Sequence, residues 1–424
     1  MKPCRVALLG TGTVGSGVVE LLRSRAAEIA AAAGRPVELA AVAELDAARA
    51  KAAGVPAKIV TDDAAALARR EDIDLVVELV GGTTAAREFV LAALAAGKPV
   101  VTANKALLAE HGEEVWAAAA KGNVPVAFEA SVCGGIPLLL SLQSLLAANR
   151  LRAVVGIVNG TTNYILSAMT GRGASFEEAL RAAQEAGYAE ADPSLDVDGL
   201  DSAHKLAILA RLAFGAGGAF DRIAVEGVRE VTPEDVHHAR EMGCVVKLLA
   251  VARRTEAGLE LRVAPTLIPE SHPLAAVGGV YNAVAIEADA AGRLMFYGRG
   301  AGREPTASAV CADIALVARG AAHVPAPGAD GAPVLDAGET VTRFLLRFGV
   351  RDEHGVLGRI ATALGEERVS IESVIQKEKR PDGVVPVVLL THPAREKAVR
   401  AALARIEPES FVAEATRLLR AEMD

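Results

Sequence analysis

An acidic segment followed by a lysine is the part of the sequence best suited to chemistry. From Glu190 to Asp201 the chain carries five carboxylates and no lysine or arginine, and Lys205 follows four residues later. So many like charges repel one another unless a cation or a bound ammonium group offsets them. If residues 200–214 are helical, Asp201 and Lys205 lie on one face of the helix, and the following residues on that face are apolar. We therefore expect the pair at the rim of a buried cleft. A lysine there is suited to give or take the proton of an alcohol–carbonyl couple, whereas a solvated acidic loop is the plain alternative.

A glycine-rich segment near the N-terminus is suited to bind phosphate. It reads Gly10-Thr11-Gly12-Thr13-Val14-Gly15, a G-x-G-x-x-G pattern between a strand-like run and a helical stretch. In that setting Gly10 permits the tight turn, Gly12 lets a pyrophosphate approach the backbone, and Gly15 lets helix and strand pack closely. The helix N-terminus would add unpaired N–H groups and a partial positive charge. The segment predicts a dinucleotide cofactor, and a merely tight strand–helix turn is the alternative.

Other positions are expected to complete the cofactor site. A carboxylate at the end of the second predicted strand, Glu44 or Asp46, would accept hydrogen bonds from a ribose 2′-hydroxyl and repel a 2′-phosphate, which favours NAD. Arg49 is the nearest cation and could accommodate NADP instead. Thr83 and Lys105 follow the third and fourth predicted strands, and ligands of parallel sheets bind at those strand ends. We therefore expect both residues to contact a ligand.

The first third of the chain has the elements that would position these residues. Short β-branched runs alternate with alanine-rich stretches, which predicts a Rossmann-like, doubly wound parallel sheet and a dinucleotide-binding domain over residues 1–130. The predicted strands are 5–9, 37–43, 73–80, 99–101 and 125–128, and one helix is predicted over 14–33.

Two further domains are predicted after residue 130. Longer apolar strands, such as 154–158, and helices at 176–186 and 200–214 favour an α+β domain for substrate binding and dimerisation over 131–299. A stretch rich in proline, glycine and alanine predicts a linker over 323–340. Residues 341–424 follow the order βαββαβ, which is typical of a ferredoxin-like module.

Composition excludes several kinds of partner. The net charge of −8 and the 3% of aromatic residues argue against binding to nucleic acid. Four cysteines without paired spacing fit a reducing cytoplasm. Two stretches without charged residues, 131–149 and 153–171, are interrupted by glycine, proline, asparagine or threonine, which argues against membrane spans. No cleavable signal precedes the first strand. We therefore expect a cytoplasmic protein without nucleic-acid or membrane partners.

Several segments, in this order along the chain, resemble homoserine dehydrogenases. They are the glycine segment, residues 102–105 (Thr-Ala-Asn-Lys), 128–137 (Phe-Glu-Ala-Ser-Val-Cys-Gly-Gly-Ile-Pro), 158–163 (Val-Asn-Gly-Thr-Thr-Asn), 187–205, and 300–306 (Gly-Ala-Gly-Arg-Glu-Pro-Thr). The last one resembles the family's return to the cofactor domain, over about 300–322. The resemblance implies a reversible reduction of L-aspartate 4-semialdehyde to L-homoserine with NAD or NADP, in threonine and methionine biosynthesis.

The resemblance also implies residue roles. Lys205 would transfer the proton and Asp201 would lie beside it at the substrate. The substrate's amino group would bind Glu190, which agrees with the excess of carboxylates. The remaining implied residues are Asp196, Gly187, Asn159 and Thr161 around the substrate, Gly302 at the cofactor, and Glu129, Val132, Gly134 and Ile136 around a sodium or potassium ion. The ion would be held mostly by backbone carbonyls, because a hard cation prefers oxygen ligands.

Residues 350–358 and 370–376 resemble an ACT domain, the small amino-acid-sensing module. The resemblance implies an amino-acid effector, with threonine as the first candidate. The expected site is a turn that offers backbone N–H groups to a carboxylate, with an acid for the ammonium; its residues are Asp352, Gly355, Val356 and Leu357. A passive dimerisation tail is the alternative. None of the catalytic signatures lies in residues 341–424, and the linker can act as a hinge or spacer, so truncation near residue 338 should leave an active enzyme and abolish any inhibition by threonine.

Two departures from the family keep other functions open. The arginine that the family often carries near Ala43, which favours NADP, is absent, and Cys133 stands where a small residue is expected. A cysteine near a cofactor suggests an acylating semialdehyde dehydrogenase with a thiol nucleophile. A non-catalytic, amino-acid-sensing regulator on a nucleotide-binding fold is the alternative from another class. A homodimer or homotetramer is expected, with apolar strands such as 154–158 in the subunit contact.

Overall fold

The computed structural model describes residues 1–324 and 332–423. Its strands and helices, in chain order, are β1 (Cys4–Leu9), α1 (Thr13–Ser24), α2 (Ala26–Ala33), β2 (Val37–Ala43), α3 (Ala47–Ala52), β3 (Val60–Thr61), α4 (Ala64–Leu67), β4 (Leu75–Glu78), α5 (Ala85–Ala95), β5 (Val100–Thr102), α6 (Lys105–Glu110), α7 (Gly112–Gly122), β6 (Val126–Ala127), β7 (Leu151–Ile157), α8 (Gly160–Arg172), α9 (Phe176–Glu185), α10 (Ser194–Val197), α11 (Leu200–Phe214), β8 (Ala224–Val225), α12 (Pro233–Glu241), β9 (Cys244–Arg254), β10 (Leu259–Pro269), β11 (Tyr281–Ala288), β12 (Gly292–Arg299), α13 (Arg303–Ala318), β13 (Val341–Arg351), α14 (Val356–Glu366), β14 (Ile371–Gln376), β15 (Val384–Thr391), β16 (Ala394–Arg395), α15 (Glu396–Ile406) and β17 (Val412–Ala421).

The N-terminal part forms the predicted doubly wound sheet. Its strands lie in the order β3-β2-β1-β4-β5-β6, and all neighbouring pairs are parallel. Strand β1 has one half-buried residue and five buried ones, as expected for a parallel sheet covered on both faces. The reversal of strand order between β1 and β4 places a crevice at the carboxyl ends of the central strands, where dinucleotides bind.

The single helix predicted over 14–33 is wrong, because the chain forms two helices there. Arg25 separates them with φ −121° and ψ 29°, outside the helical region. Ser24 precedes it, and its hydroxyl donates a hydrogen bond to the carbonyl of Glu20, four residues back. Such back-bonding by serine bends helices and favours a break at this point.

Helix α13 returns the chain to the first domain, as the resemblance implied. It packs against α1, and a Cβ added to Gly17 would lie 2.9 Å from Cβ of Ala307. Arg303, at the start of α13, donates a hydrogen bond to the hydroxyl of Ser16 at 3.2 Å. The return segment therefore borders the glycine segment.

The second sheet is larger than the predicted second domain. It has eleven strands, nine of them in the order β12-β11-β7-β9-β10-β17-β13-β15-β14, while β8 pairs with β10 and β16 with β13. Strand β7 lies inside it, between β11 and β9. Its backbone is therefore paired on both sides within this sheet, and the expectation that apolar strands of this kind take part in a subunit contact stays a prediction.

The C-terminal module is continuous with that sheet. It has the predicted βαββαβ order from β13 to β17, with the short β16 added before α15. Strand β17 pairs in parallel with β10 of the second domain, Thr266 opposite Arg420 and Leu267 opposite Ala421. The module is therefore joined to the second domain by strand pairing as well as by the predicted linker.

Part of the predicted linker also packs on the second domain. Residues 325–331 of the linker lie outside the described residues. Beyond them, the Leu335 amide donates to the carbonyl of Leu259 at 2.9 Å, and Val334 forms a bridge with the same residue. None of the helices in the described ranges has the length and apolar character needed to cross a bilayer.

Candidate active site

The carboxylate of Asp201 lies at the centre of a buried polar cluster. Its Oδ2 accepts hydrogen bonds from Nζ of Lys205 at 2.7 Å and from Nδ2 of Asn159 at 2.8 Å. Its Oδ1 is 2.8 Å from Nζ of Lys105. The Lys205 ammonium also donates to the carbonyl of Val158 at 2.6 Å. Two lysines therefore converge on one carboxylate.

Three elements bring this cluster together. Asp201 and Lys205 lie one turn apart in the first half of α11, which begins after Gly199. Val158 and Asn159 follow β7, and the Asn159 side chain caps α8 by accepting a hydrogen bond from the amide of Thr162 at 2.8 Å. The cluster thus depends on the second sheet and two helix N-termini, where acidic groups are favoured.

The charges in the cluster are held by one another. Burial opposes the negative charge of Asp201, but the ammonium groups of Lys205 and Lys105 outweigh it and hold the pKa of that carboxyl well below its usual range. Burial likewise favours a neutral Lys205, and the Asp201 carboxylate overcomes this and raises the pKa of the lysine. Lys205 is therefore a protonated, buried ammonium that can donate a proton.

Lys105 was expected at the cofactor, and the structure places its ammonium on Asp201. It is the first residue of α6, directly after β5 of the nucleotide-binding sheet. Its side chain is 40% exposed, so a ligand can also reach it. This contact could not be predicted from local sequence patterns, because Lys105 and Asp201 lie in different domains.

The predicted substrate residues fall into two groups. Asp196 belongs to the cluster, since its Oδ1 accepts a hydrogen bond from Nδ2 of Asn159 at 2.7 Å. The Thr161 hydroxyl donates to the carbonyl of Tyr188 at 2.8 Å and ties α8 to the loop that begins at Gly187. The Glu190 side chain is exposed and forms no hydrogen bond or ion pair with the described residues, so it lies outside the cluster.

The glycine segment has the shape that a pyrophosphate requires. Gly10 has φ +93°, and a Cβ there would lie 2.8 Å from the carbonyl oxygen of Leu79. A Cβ on Gly12 would meet nothing within 4 Å, so the space before the loop is open. Gly12 is the N-cap of α1 and no side chain caps that helix, which leaves N–H groups for an anion. The segment therefore fits a dinucleotide.

Glu44 borders the same space from the end of β2. Its Oε2 accepts hydrogen bonds from the amide of Thr11 at 2.8 Å and from the Thr11 hydroxyl at 2.7 Å. Burial would raise the pKa of Glu44, but these hydrogen bonds lower it, so the side chain is a carboxylate. Arg49 lies 3.9 Å from Oε1 and, with Arg303, lines a cleft of about 680 Å³ at the glycine segment. Both a carboxylate and cations are therefore present where a ribose would lie.

A buried carboxylate that sequence reasoning missed organises the neighbouring loops. Glu78, at the end of β4, accepts hydrogen bonds from the amides of Val80 and Gly81 at 2.8 and 3.1 Å and from the hydroxyl of Thr102 at 2.6 Å. It fixes the loop containing Thr83 beside the loop that leads to Lys105. The available signal was a single acid at the end of an otherwise apolar strand. Gly302, the N-cap of α13, directly precedes Arg303, which lines the cleft at the glycine segment.

The predicted cation loop is closed by the side chain of Glu129. This carboxylate accepts hydrogen bonds from three successive amides, those of Leu138, Leu139 and Leu140, at 2.6, 2.8 and 2.7 Å. The amide of Glu129 in turn donates to Asp313 at 2.9 Å. Burial, reinforced by the charge of Glu129, raises the pKa of Asp313 well above its usual value. The remaining positions of the loop are Val132, Gly134 and Ile136.

Sequence reasoning missed Asp313, which is almost fully buried in α13. The available signal was a lone acid within an apolar helical stretch. Asp313 therefore lies against the backbone of Glu129 and within reach of its charge, and two negative charges there are unfavourable unless a proton or a cation offsets them.

Cys133 does not have the environment of a nucleophile. It is buried, has φ +54°, and its sulfur is 3.5 Å from Nδ2 of Asn282. Burial raises the pKa of the Cys133 thiol, whereas a nucleophilic cysteine needs a lowered one. The acylating alternative is therefore not supported.

The turn predicted to bind an effector starts helix α14. Gly355 is the N-cap with φ +82° and no side chain caps the helix, so the amides of Val356 and Leu357 are not used by a cap. Asp352 is exposed, and its Oδ2 is 3.9 Å from Nζ of Lys379. The turn has the amides and the acid that were expected.

Comparison with known families assigns nearly every part of the chain. A family described as "Homoserine dehydrogenase" matches residues 137–315, and one described as "Homoserine dehydrogenase, NAD binding domain" matches residues 10–129. The ACT domain family matches residues 344–408.

Individual relatives agree with these matches. The chain is 45% identical over 432 residues to a homoserine dehydrogenase of Neisseria gonorrhoeae, covering 100% of this chain and 99% of the relative. It is 46% identical to one of Pseudomonas aeruginosa, covering 96% of each. Among solved structures, a homoserine dehydrogenase from Thiobacillus denitrificans has a TM-score of 0.95 at 45% identity, covering 100% of this chain and 99% of the other. A hyperthermophilic archaeal homoserine dehydrogenase in complex with NADPH shares the fold, with a TM-score of 0.63 at 24% identity over 74% of this chain.

Proposed function

The chain belongs to the homoserine dehydrogenase family, and we propose that its reaction takes place at the Asp201 cluster, with Lys205 as the proton-transfer residue. The enzyme is an oxidoreductase that interconverts L-aspartate 4-semialdehyde and L-homoserine with a nicotinamide cofactor. The observation that supports the proposed roles is the meeting of two lysines and one carboxylate between the two domains.

In the direction of reduction, Lys205 donates its proton to the aldehyde oxygen as that oxygen gains negative charge. Bound NAD(P)H would supply the hydride to the aldehyde carbon. Asp201 keeps Lys205 charged and oriented before the transfer, since Oδ2 accepts one of its three N–H groups at 2.7 Å. In the direction of oxidation, neutral Lys205 takes the proton of the homoserine hydroxyl. A positioned proton transfer of this kind is worth roughly 10²–10⁴ in rate.

The amino-acid end of the substrate needs a carboxylate for its ammonium group. Asp196 lies beside Asn159 in the cluster, and Glu190 lies on the exposed loop that precedes it. We assign Asp196 to the bound substrate directly, with Asn159 and Thr161 lining the cleft. Glu190, which the family resemblance gives to the amino group, is the second carboxylate proposed for it. Lys105 would contact the substrate or the nicotinamide end of the cofactor from the other domain.

NAD is the proposed preferred cofactor, and NADP the second one. Glu44 is ionised and close to the glycine segment, which favours a free ribose 2′-hydroxyl over a phosphate. Arg49, beside it, would offset part of this repulsion. Gly302 and Thr83 would border the cofactor at the edges of the crevice.

A sodium or potassium ion is proposed for the loop closed by Glu129. The buried pair of Glu129 and Asp313 supports a cation, because one positive charge would relieve their repulsion. The ligands would be the carbonyls of Val132, Gly134 and Ile136 and an oxygen of Glu129. Replacing KCl and NaCl by choline chloride at constant ionic strength should then lower the melting temperature and activity.

Regulation and assembly are also proposed. An amino acid, threonine first, would bind at Asp352 and the amides after Gly355, and the four reduced cysteines suit a cytoplasmic enzyme. Strand β12, at the edge of the large sheet, exposes Met295 and Tyr297 and is a suitable surface for a homodimer. Light scattering during gel filtration tests the subunit number.

The decisive experiment measures homoserine-dependent reduction with NAD and NADP separately. Activity with both and a larger kcat/KM with NAD is expected. Activity with NADP alone would refute the role given to Glu44, and binding of the cofactor without turnover would favour a non-catalytic regulator.

A further inference from the structure

A series of contacts connects the last strand of the C-terminal module to the loop that carries Asp196. We propose that Arg420 of this module is a positioning residue for the dehydrogenase reaction, acting through Glu226 on residues 194–198. This segment consists of the short helix α10 and Asp198 and is called the substrate loop below. Residues 226–229 are called the coupling segment below. The proposal rests on the assignment of Asp196 to substrate binding.

Arg420 is fixed on one side and reaches across the domain boundary on the other. Its Nε and Nη2 donate to the two oxygens of Glu396 at 2.9 and 2.7 Å, and both residues are buried. Its Nη1 donates to Oε2 of Glu226 at 2.8 Å. Such a planar, paired arrangement sets the direction of the remaining N–H groups. The position of the module therefore determines where the partner of Glu226 lies.

The coupling segment is short and attached to the same sheet. It follows β8, whose two residues pair with Arg262 and Val263 of β10. The Glu226 amide donates to the carbonyl of Val263 at 2.8 Å. Since β10 also pairs with β17, which carries Arg420, the coupling segment and Arg420 are both held by the same strand of the second domain.

The coupling segment holds the substrate loop at close range. A Cβ added to Gly227 would lie 2.3 Å from the carbonyl oxygen of Val197, so only glycine allows the approach. The next amide, that of Val228, donates to the same carbonyl at 2.8 Å. Arg229 forms an ion pair with Asp198 and donates to the hydroxyl of Ser194 at 3.1 Å. Movement of the segment must therefore move the loop.

The substrate loop continues the contacts into the active site. Asn159 donates from one amide nitrogen to Asp196 at 2.7 Å and to Asp201 at 2.8 Å. A displacement of the loop therefore shifts the carboxylate assigned to the substrate while Lys205 keeps its own bond to Asp201. Misplacement of a positioning group by about 1 Å is enough to weaken binding or rate strongly.

The Arg420–Glu226 contact also has room to rearrange. Both residues, with Glu396, line an open cleft of about 750 Å³ between the module and the second domain. Glu226 is 37% exposed, so its carboxylate can turn to water when the contact breaks. The contact can therefore be made or lost without repacking an apolar core.

The test is steady-state kinetics of the full-length enzyme with three variants. Glu226→Gln keeps the shape of the side chain and removes its charge. It should raise the KM for homoserine by at least about 5-fold, the lower end of typical coupling between sites, while the KM for NAD and the melting temperature stay unchanged. Arg420→Lys keeps a charge for Glu396 but cannot bridge two carboxylates, and should raise the same KM. The double variant should add no further rise, because both changes break one contact.

Glu230→Gln is the matched control. Glu230 follows the coupling segment and lies 3.7 Å from Arg417, also in β17, but it is 83% exposed and does not contact the substrate loop. Its kinetics should equal those of the wild type. An unchanged KM for homoserine in Glu226→Gln overturns the proposal. An equal rise in the KM for NAD together with a lower melting temperature also overturns it, because it shows a general loss of structure. Asp196→Asn tests the premise independently of the coupling. If this variant leaves the KM for homoserine unchanged, the assignment of Asp196 to substrate binding is wrong.

Discussion

At the residue scale, Asp201 organises the chemistry because two lysines from different domains bond to its two oxygens. A buried carboxylate that has only one cationic partner is left uncompensated when that partner is removed, and an unpaired buried charge typically costs about 3–5 kcal/mol. Here one lysine can be removed while the other still neutralises the acid. The proposed catalytic role of Lys205 can therefore be tested in a folded protein.

Lys205→Ala should lower turnover by roughly 10²–10⁴-fold, because the proton donor is lost. The affinity for NAD(P)H should stay within about 2-fold, since no glycine-segment residue contacts Lys205. Stopped-flow turnover and fluorescence titration of the cofactor measure the two effects. A variant with near-full turnover would remove Lys205 from the mechanism.

Lys247 is a second buried lysine, and it lacks a carboxylate among the described residues. Its ammonium donates to the carbonyl of Val277 at 2.6 Å and to Oδ1 of Asn163 at 3.1 Å. Burial lowers its pKa from 10.5 to about 8. Between these pH values the unfolded chain binds more protons than the folded one, so the free energy of unfolding rises with pH in that window.

Lys247→Met should flatten this dependence between pH 8 and 10.5, by up to about 1.4 kcal/mol per pH unit where the two pKa values are well separated. Urea unfolding followed by circular dichroism at several pH values gives the slopes. Lys121→Met, at an exposed lysine of α7, should keep the wild-type slope. Equal slopes in all three proteins would show that Lys247 is not the group responsible.

At the scale of elements, the turn between β1 and α1 contains two glycines that serve different purposes. Gly10 is needed by the fold itself, since its φ is +93° and a Cβ would lie 2.8 Å from a backbone oxygen. Gly12 has open space around its missing side chain. Its value must therefore come from a ligand that approaches the backbone.

Gly12→Ala should leave the melting temperature of the cofactor-free enzyme within about 1 °C and weaken NADH binding by roughly 10-fold, about 1.4 kcal/mol. Gly10→Ala should lower the melting temperature even without cofactor. Differential scanning fluorimetry and calorimetric titration with NADH distinguish the two. Unchanged NADH affinity in Gly12→Ala would place the pyrophosphate elsewhere.

At the scale of the whole molecule, the catalytic and regulatory parts share one sheet and one buried ion cluster. Glu422, just after β17, forms ion pairs with Arg262 and Arg253 of the second domain. Arg262 is only 2% exposed. The two arginines hold the pKa of Glu422 below its usual value although burial would raise it. The module is therefore part of the catalytic core's support.

Glu422→Gln should lower the melting temperature by roughly 5–10 °C, because removing one partner of a buried ion pair costs about 3–5 kcal/mol. Glu287→Gln, which removes an exposed partner of Arg293 in the same sheet, should change it by about 1 °C or less. Thermal unfolding by circular dichroism measures both. Equal shifts in the two variants would contradict the importance of the buried cluster.

Truncation near residue 338 is a stronger form of the same test. The prediction made from the linker was that the fragment is active and insensitive to threonine. The shared sheet instead leads us to expect a destabilised fragment. Deletion leaves the edge of β10 unpaired where β17 lay, and Arg262 without Glu422. Melting temperature and homoserine-dependent activity of the fragment decide. A stable and fully active fragment would restore the spacer interpretation.

The sequence by itself determined the parts of this protein that depend on short-range spacing. The glycine segment, the four-residue step from Asp201 to Lys205 and the βαββαβ order are local patterns, and each has one favoured backbone geometry. The family resemblance added the reaction. These predictions were confirmed because local spacing fixes local structure.

Only the tertiary structure decided which distant groups meet. Lys105 and Asp201 are almost a hundred residues apart, and no local pattern shows that the ammonium would face this carboxylate rather than the cofactor. Glu190 and Asp196 look alike as acids in one segment, yet folding leaves Glu190 exposed and brings only Asp196, which is half-buried, into contact with Asn159. The pairing of β10 with β17 was also invisible, because any strand edge offers the same N–H and C=O groups, and the choice between edges depends on packing across the whole molecule.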